Sequence, residues 1–214
     1  MQPIDLSFNK MLPKYMPTKD KHIRDALINY LKDKYRFKDK TRIVEELGLN
    51  HGETRVDVAV VNGVIHGFEI KSDLDTLDRL ALQIVLYNSV LDQATLVVGK
   101  KHLMEAMYLV PDWWGILVAK LDINGCTKLI NIREATNNPE KKSSAIVKLL
   151  WKDEAISILE QYNCAAGFYS KARKVIYDRL LEAIDEPVLF ASVRDCLIAR
   201  EGWRPDEPPV LNDD

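Results

Sequence analysis

Three cysteines, Cys126, Cys164 and Cys196, are all that the 214 residues contain. Their number is odd and their spacing matches no metal-binding pattern, so neither a disulfide framework nor a zinc site is expected. No run approaches the roughly 18 uninterrupted apolar residues of a membrane span. The opening segment MQPIDLSFNKMLPKYMP also lacks the apolar core of roughly 7–15 residues that marks a secretion signal. A cytoplasmic chain with reduced thiols, off the membrane, is the expectation. There is no P-loop, no G-x-G-x-x-G and no G-x-S-x-G, which sets aside nucleotide hydrolysis and serine-hydrolase chemistry. The formal net charge is only −2, so the surface is not uniformly basic, and no internal repeat is present.

What the chain does have is a hydrophobic content of 47%, enough for one full globular domain and a small extension. Its charge is unevenly spread. Up to Arg42 there are eleven basic residues and five acidic ones, so the N-terminal segment is a candidate phosphate-facing surface, with a solvated helix face as the plain alternative. A helix is expected from Asp20, as N-cap, to about Tyr35, with Ile23, Ala26, Leu27, Tyr30 and Leu31 at helical spacing. Strands are expected over 42–49, 55–61 and 67–73, with a turn at Asn50-His51-Gly52 and a two-residue hairpin at Asn62-Gly63. A helix over 74–91, capped by Asp73 or Asp75, should then lead into a buried strand at 94–99, making a crossover unit. A further helix over 100–110 and short strands at 115–121 and 128–133 would extend the sheet. After Asn137-Asn138-Pro139 the pattern turns helical, over roughly 143–162, 170–185 and 188–201. The expected fold is therefore an α/β mixed sheet flanked by helices (residues 1–136), a helical subdomain (137–204), and a disordered acidic tail (205–214).

The chemistry sits on the hairpin strands. Asp57 lies on RVDVAVV, and twelve positions on comes Glu69-Ile70-Lys71 on GFEIKSD. Side chains alternate across a strand, so Glu69 and Lys71 share one face and Asp57 can converge with them. Two carboxylates and an ammonium on strands that look buried on both faces are costly to retain for structure alone. The competing reading is a cross-strand salt bridge. A hard cation, Mg²⁺ or Mn²⁺, held by Asp57, Glu69 and the Ile70 carbonyl would supply what phosphodiester hydrolysis needs, and Lys71 is placed to orient the attacking water or balance phosphate charge. A third acid would come from Glu45 or Glu46. Glu46 is favoured because Ile43, Leu47 and Leu49 share the parity of Glu45 and mark that side as core.

Residues 42–99 resemble the PD-(D/E)XK nuclease superfamily, with its restriction-endonuclease-like fold: Asp57 matches the first acid and Glu69-Ile70-Lys71 the (D/E)-x-K element, although Val56 stands where the name has proline. Gln83-Ile-Val-Leu-Tyr87 resembles the Q-x-x-x-Y element of the RecB-like and Cas4-like branch. More narrowly, EELGLNHGETRVDVAVVNGVIHGFEIKSDLDTLDRL, TLVVG, PDWWGI, LLWKDE and the final WRP are similar to a bacterial family of uncharacterised proteins placed in that superfamily. The resemblance implies a Mg²⁺-dependent nuclease acting on DNA, with RNA not set aside, working alone or as a homodimer or larger complex. It implies Asp57, Glu69, Lys71, Glu46 and Gln83 as catalytic, with Tyr87, Arg79, Arg55, Lys21 and Arg24 along a nucleic-acid path. The alternative is a nuclease fold kept as a binding or assembly module. Trp113-Trp114 reads as packing, and His22, His51, His66 and His102 have no metal-binding spacing.

Overall fold

Six strands form one mixed sheet in the order of the sequence, β1-β2-β3-β4-β5-β6. The structure, a computed structural model, describes residues 16–201. Lys10, Lys14, the WRP segment beyond Gly202 and the tail expected to be disordered lie outside the described residues.

Helix α1 (Asp20–Lys34) is followed by β1 (Arg42–Leu49), a single 3₁₀ turn (Asn50–Gly52), β2 (Thr54–Val61) and β3 (Ile65–Lys71). These three strands pair antiparallel. Next come α2 (Leu80–Val90), β4 (Gln93–Gly99), α3 (Leu103–Leu109), β5 (Gly115–Leu121) and β6 (Thr127–Arg133). β3, β4 and β5 run parallel, because each step between them is carried by a helix that returns the chain to the same end; β6 then turns back antiparallel. Four helices close the described chain: α4 (Ser143–Ile146), α5 (Lys152–Gln161), α6 (Arg173–Ala183) and α7 (Glu186–Ala199). The breaks between them fall where backbone chemistry puts them. Asn163 and Gly167 both have positive φ, and Pro187 sits in the first turn of α7.

Two hydrophobic layers hold the sheet. On one face Ile23, Leu27 and Leu31 of α1 pack on Val58, Val60, Phe68, Ile70, Val97 and Leu117. On the other, Val44, Leu47, Leu49, Val56, Ala59 and Val61 join residues of α2 and α3 and the buried faces of α4 to α7, such as Ile158, Leu180 and Val193, in one continuous cluster. The compositional change near 137 thus coincides with no gap in this cluster. Trp113 and Trp114 are both buried. Outer residues of α2 and α3, among them Leu82, Val85, Met104 and Tyr108, are apolar and exposed. No described helix is long and apolar enough to cross a membrane.

Three expectations are corrected. The hairpin loop takes three residues, 62–64, with Val61 paired to Ile65 and Gly63 at φ +91°. α1 starts at Asp20 with Lys19 as its cap, and the Asp20 carboxylate pairs with Arg24 one turn on. α2 starts at Leu80, six residues later than the apolar pattern suggests, because neither aspartate caps it. The Asp73 carboxylate accepts from the Thr18 main-chain N–H and hydroxyl (both 2.7 Å) and from the Lys101 N–H (2.9 Å). That of Asp75 accepts from the Ser72 N–H at 2.7 Å. The long-range bonds of Asp73 and the local one of Asp75 hold this segment as an irregular loop. Gly99 abuts it: a Cβ there would lie 2.4 Å from the Asp73 Oδ1. Gly99→Ala should therefore cost about 1–3 kcal/mol by overpacking and displace the loop, read as a lowered thermal midpoint.

Candidate functional site

Antiparallel pairing of β2 and β3 runs from Val61↔Ile65 to Val58↔Phe68 and ends there. Beyond that point the strands part, and the Ile70 N–H, which has lost its ladder partner, donates to the Asp57 carboxylate at 2.7 Å. The acid is therefore built into the split of the sheet. β1 is irregular at the same level. Glu45 pairs with Val58 and Leu47 with Val56, while Glu46 between them has φ +54°, a left-handed conformation that is strained for a non-glycine residue in a strand. The kink switches the strand's inward parity, so that Val44, Leu47 and Leu49 all reach the same cluster although strict alternation forbids it. Simple parity thus misjudges which residues of β1 face the core. The kink turns Glu46 onto the wall of the cavity and leaves Glu45 off it.

That cavity has a volume of about 690 Å³ and is bordered by Glu46, Asp57, Glu69, Ile70, Lys71, Arg55, Arg79 and Gln83. Asp20, Glu53 and Asp75 border it as well; Asp20 and Asp75 read from sequence only as helix caps, and Glu53 was not singled out. The i,i+4 spacing of Asp20 and Arg24 was the available signal, since it places both on one side of α1.

Glu69 is the hub. It is 2% exposed, and its Oε1 accepts from the Lys71 ammonium and the Gln83 side-chain amide, each at 2.7 Å. The Tyr87 hydroxyl proton is shared between Glu69 Oε2 and the Arg55 carbonyl oxygen, the latter 2.6 Å away. Helical spacing explains the joint reach of Gln83 and Tyr87: four residues apart, they lie on the same face of α2. Tyr87 is fully buried, with Trp114 stacked behind it at 5.9 Å between ring centroids, and the indole N–H held by the Asn88 side-chain oxygen. Its expected contact with nucleic acid is corrected accordingly: the ring has no surface, and the hydroxyl fixes the carboxylate. Burial, then the Glu69 charge, raises its pKa, keeping it a neutral donor. Tyr87→Phe should lower stability by about 1–3 kcal/mol, since Glu69 and the Arg55 carbonyl lose their shared donor. Melting curves should register about 2–4 °C per kcal/mol for a chain of this size.

Arg24 is the second correction. Rather than facing outward with the basic residues of α1, its guanidinium enters the acid cluster. Nη2 lies 3.0 Å from Asp57 Oδ1, Nη1 3.2 Å from Glu46 Oε1, and Nε donates to Asp20 at 3.1 Å. Burial works against its charge, but the bond to Asp20 and the charges of Asp57 and Glu46 outweigh this and raise its pKa. Lys21 is exposed and lies off the cavity wall; Arg79 is exposed at its rim.

The carboxylates are not equally at ease. Burial first, then the Glu69 charge, pushes Asp57 up to about 6, although the Ile70 N–H, Arg24 and Lys71 all pull it down. Burial and the Asp57 charge raise Glu46 as well. Among the described residues, no group of three or more His, Cys, Asp or Glu side chains comes together as a metal-holding set. One buried acceptor in this wall is unused: the Gln83 Oε1, side by side with the amide nitrogen that holds Glu69, has no hydrogen-bond partner among the described residues.

The histidines divide as expected of satisfied or peripheral residues, with one exception. His66 is buried against Thr95 (2.8 Å), and burial pushes its pKa down to about 3. His102 is buried and bonded to the Asp75 carbonyl oxygen. His51 is the exception and borders a separate cavity.

Fold and site together define a mixed α/β protein with an acid- and lysine-lined cavity where its sheet splits. The chain belongs to the family described as Bacteriophage P4 protein cII, whose profile matches residues 15–204. Protein cII of Enterobacteria phage P4 is 28% identical over 144 residues, which is 67% of this chain and 54% of that relative. The chain thus spans about half the length of the curated relative it matches. No solved structure matches it.

Proposed function

We propose that this chain is a Mg²⁺- or Mn²⁺-dependent nuclease of the PD-(D/E)XK kind that hydrolyses DNA phosphodiester bonds in the cavity at the sheet split. One observation carries this reading: Asp57, Glu69 and Lys71, singled out from spacing, and Gln83, named by the resemblance, border a single cavity, and Glu69 bonds both Lys71 and Gln83. The donor set fits a hard cation. It is all oxygen, burial and then the Glu69 charge raise Asp57, and the unpartnered Gln83 oxygen suits a water of a cation's hydration shell. Mg²⁺ is commonly held by only one or two carboxylates and keeps several waters, so a three-acid cluster is not required of this wall. Asp57, Glu69 and the Ile70 carbonyl would hold the ion, with Glu46 as the further acid; bound there, it would supply Lewis-acid polarisation of the phosphate and a more acidic water.

The chain's own groups do the rest. Tyr87 and Gln83 fix both oxygens of Glu69, and Glu69 fixes the Lys71 ammonium at the cavity surface, where it orients the attacking water and offsets charge on the phosphate. Arg79 and Arg55 border the cavity as phosphate contacts. The phage relative supports a setting in mobile-element biology, and we place the activity in the cytoplasm.

A second reading has its own observation. Arg24 already neutralises Asp57 and Glu46, as it would in a fold kept for binding rather than catalysis. Calorimetry of Mg²⁺ and Mn²⁺ binding separates the two readings, run on wild type and on Asp57→Ala with Glu69→Ala, with cleavage of plasmid, single-stranded DNA and RNA followed in the same samples. The nuclease reading expects binding and cleavage to be lost together. Absence of cation binding in wild type would sink it and leave the binding module.

A further inference from the structure

On the far side of the turn Asn50–Gly52 lies a second cavity of about 380 Å³, bordered by His51 of the turn, Val147 and Lys148 behind α4, and Lys174, Tyr177 and Leu181 of α6. The two cavities are neighbours along the chain: His51 borders this one, while Gly52 and Glu53 border the acid cavity. Its inner wall is apolar and rigid. Val147 is fully buried, and Tyr177 is anchored through its hydroxyl to the Leu150 carbonyl oxygen at 2.8 Å. The His51 ring is stacked on that of Tyr177, at 12° and 5.8 Å between centroids, so the buried tyrosine backs an exposed imidazole. His51 holds this pose with φ +61°, in the left-handed region that histidine, like asparagine, enters more readily than most side chains.

The rim is cationic where stability alone would not place cations. α6 begins with Arg173 and Lys174 and has no acid in its first turn, although the helix dipole already makes that end positive. Lys148 stands opposite, its ammonium 2.9 Å from the Asn50 side-chain oxygen, which braces the turn. Burial, with the charges of Arg173 and Lys148, lowers the His51 pKa, which favours the neutral imidazole. The one acid among the residues bordering this cavity, Asp178, is paired with Lys174 at 3.4 Å.

We propose that this cavity receives an unpaired base of a nucleic-acid strand, stacked on the exposed His51 ring that the buried Tyr177 backs, with the adjoining phosphate on Lys174. The apolar wall and the aromatic face suit a base of any identity, and the basic rim suits the backbone that carries it. A paired base cannot enter, since its faces are already stacked in the duplex. The inference rests on the nuclease reading of the neighbouring cavity and deepens it: the strand passes over the turn at Asn50–Gly52, and the substrate class is single-stranded or locally opened nucleic acid.

The test measures binding in EDTA, by anisotropy of a fluorescein-labelled oligonucleotide, single-stranded and as a duplex, with adenosine monophosphate as competitor. The variant is His51→Asn with Lys174→Glu. Asparagine tolerates the positive φ, and Lys174 is 89% exposed, so the fold is kept, as an unchanged melting midpoint verifies. Single-strand affinity should fall about tenfold, within what stacking one base on an aromatic side chain is worth, with duplex affinity changed much less. Equal losses on both forms, or no loss, would overturn the proposal, and displacement by the mononucleotide at equal concentration would show a free-nucleotide site in its place. Pocket-dependent single-strand binding by a wild type that never cleaves leaves this proposal standing and removes the nuclease reading. Cleavage with no pocket dependence does the reverse.

Discussion

Lys71→Met should abolish cation-dependent cleavage, lowering the single-turnover rate by about two to four orders of magnitude, the range that positioned proton-transfer and charge-balancing groups supply. Methionine keeps an unbranched stem of similar length in a site where the lysine is 6% exposed, so packing is nearly preserved. What disappears is the ammonium 2.7 Å from Glu69. Breaking a buried pair by removing one partner costs about 3–5 kcal/mol when nothing else satisfies the remaining charge. Here Gln83 and Tyr87 still donate to the Glu69 carboxylate, so the lower end of that range applies. The two readings of the site then predict different experiments. For a nuclease, cleavage vanishes while melting falls only modestly and DNA affinity persists; for a binding module, melting falls by the same amount and nothing else changes. Undiminished cleavage by the variant would remove Lys71 from the chemistry altogether.

Why this residue was legible from sequence, and Arg24 was not, comes down to the range of the forces involved. Period-two alternation and flanking β-branched residues locate β2 and β3 and bring Asp57, Glu69 and Lys71 to one place, because burial on both faces leaves a strand little freedom of register. Gln83 and Tyr87 are named by the resemblance, and their helical spacing on α2 explains why both reach one carboxylate. Local pattern fails where a distant partner decides. Asp73 reads as a helix cap but bonds to Thr18 and Lys101, and α2 starts six residues later than the pattern suggests. Arg24 reads as one basic residue among many on α1, and only the approach of that helix to the sheet split shows that it answers Asp57 and Glu46. Glu46 enters the cavity through a positive φ that no alternation rule contains. His51 likewise reads as an unremarkable turn residue until α6 places Tyr177 beside it.

The electrostatic tension in the acid cluster gives the other large effect, in the pH dependence of stability measured without divalent cation. Asp57 titrates near 6 in the folded chain, against roughly 3.9 for an aspartate in the unfolded one. Between those values the native state holds a proton that the unfolded state has lost, so the native state binds more protons and stability falls as pH rises. The penalty is absent below about pH 4, complete above about pH 6, and at most about 3 kcal/mol for a shift of this size. Asp57→Asn removes the titration yet keeps an oxygen to accept the Ile70 N–H. Denaturant midpoints in EDTA should therefore show the variant gaining on wild type between pH 4 and 6.5, with the difference level above; groups that do not feel the Asp57 charge cancel in the comparison, and Glu46, relieved of that charge, shifts the variant in the same direction. Added Mg²⁺ at pH 7 should then restore wild type, by about 2.7 kcal/mol at a hundred times its dissociation constant, and do far less for the variant. Parallel pH curves would show that Asp57 titrates as an ordinary carboxylate, and equal rescue of both proteins would place the cation elsewhere. With the expected pattern, the cost of keeping Asp57 charged while buried beside Glu69 is the free energy a bound cation recovers.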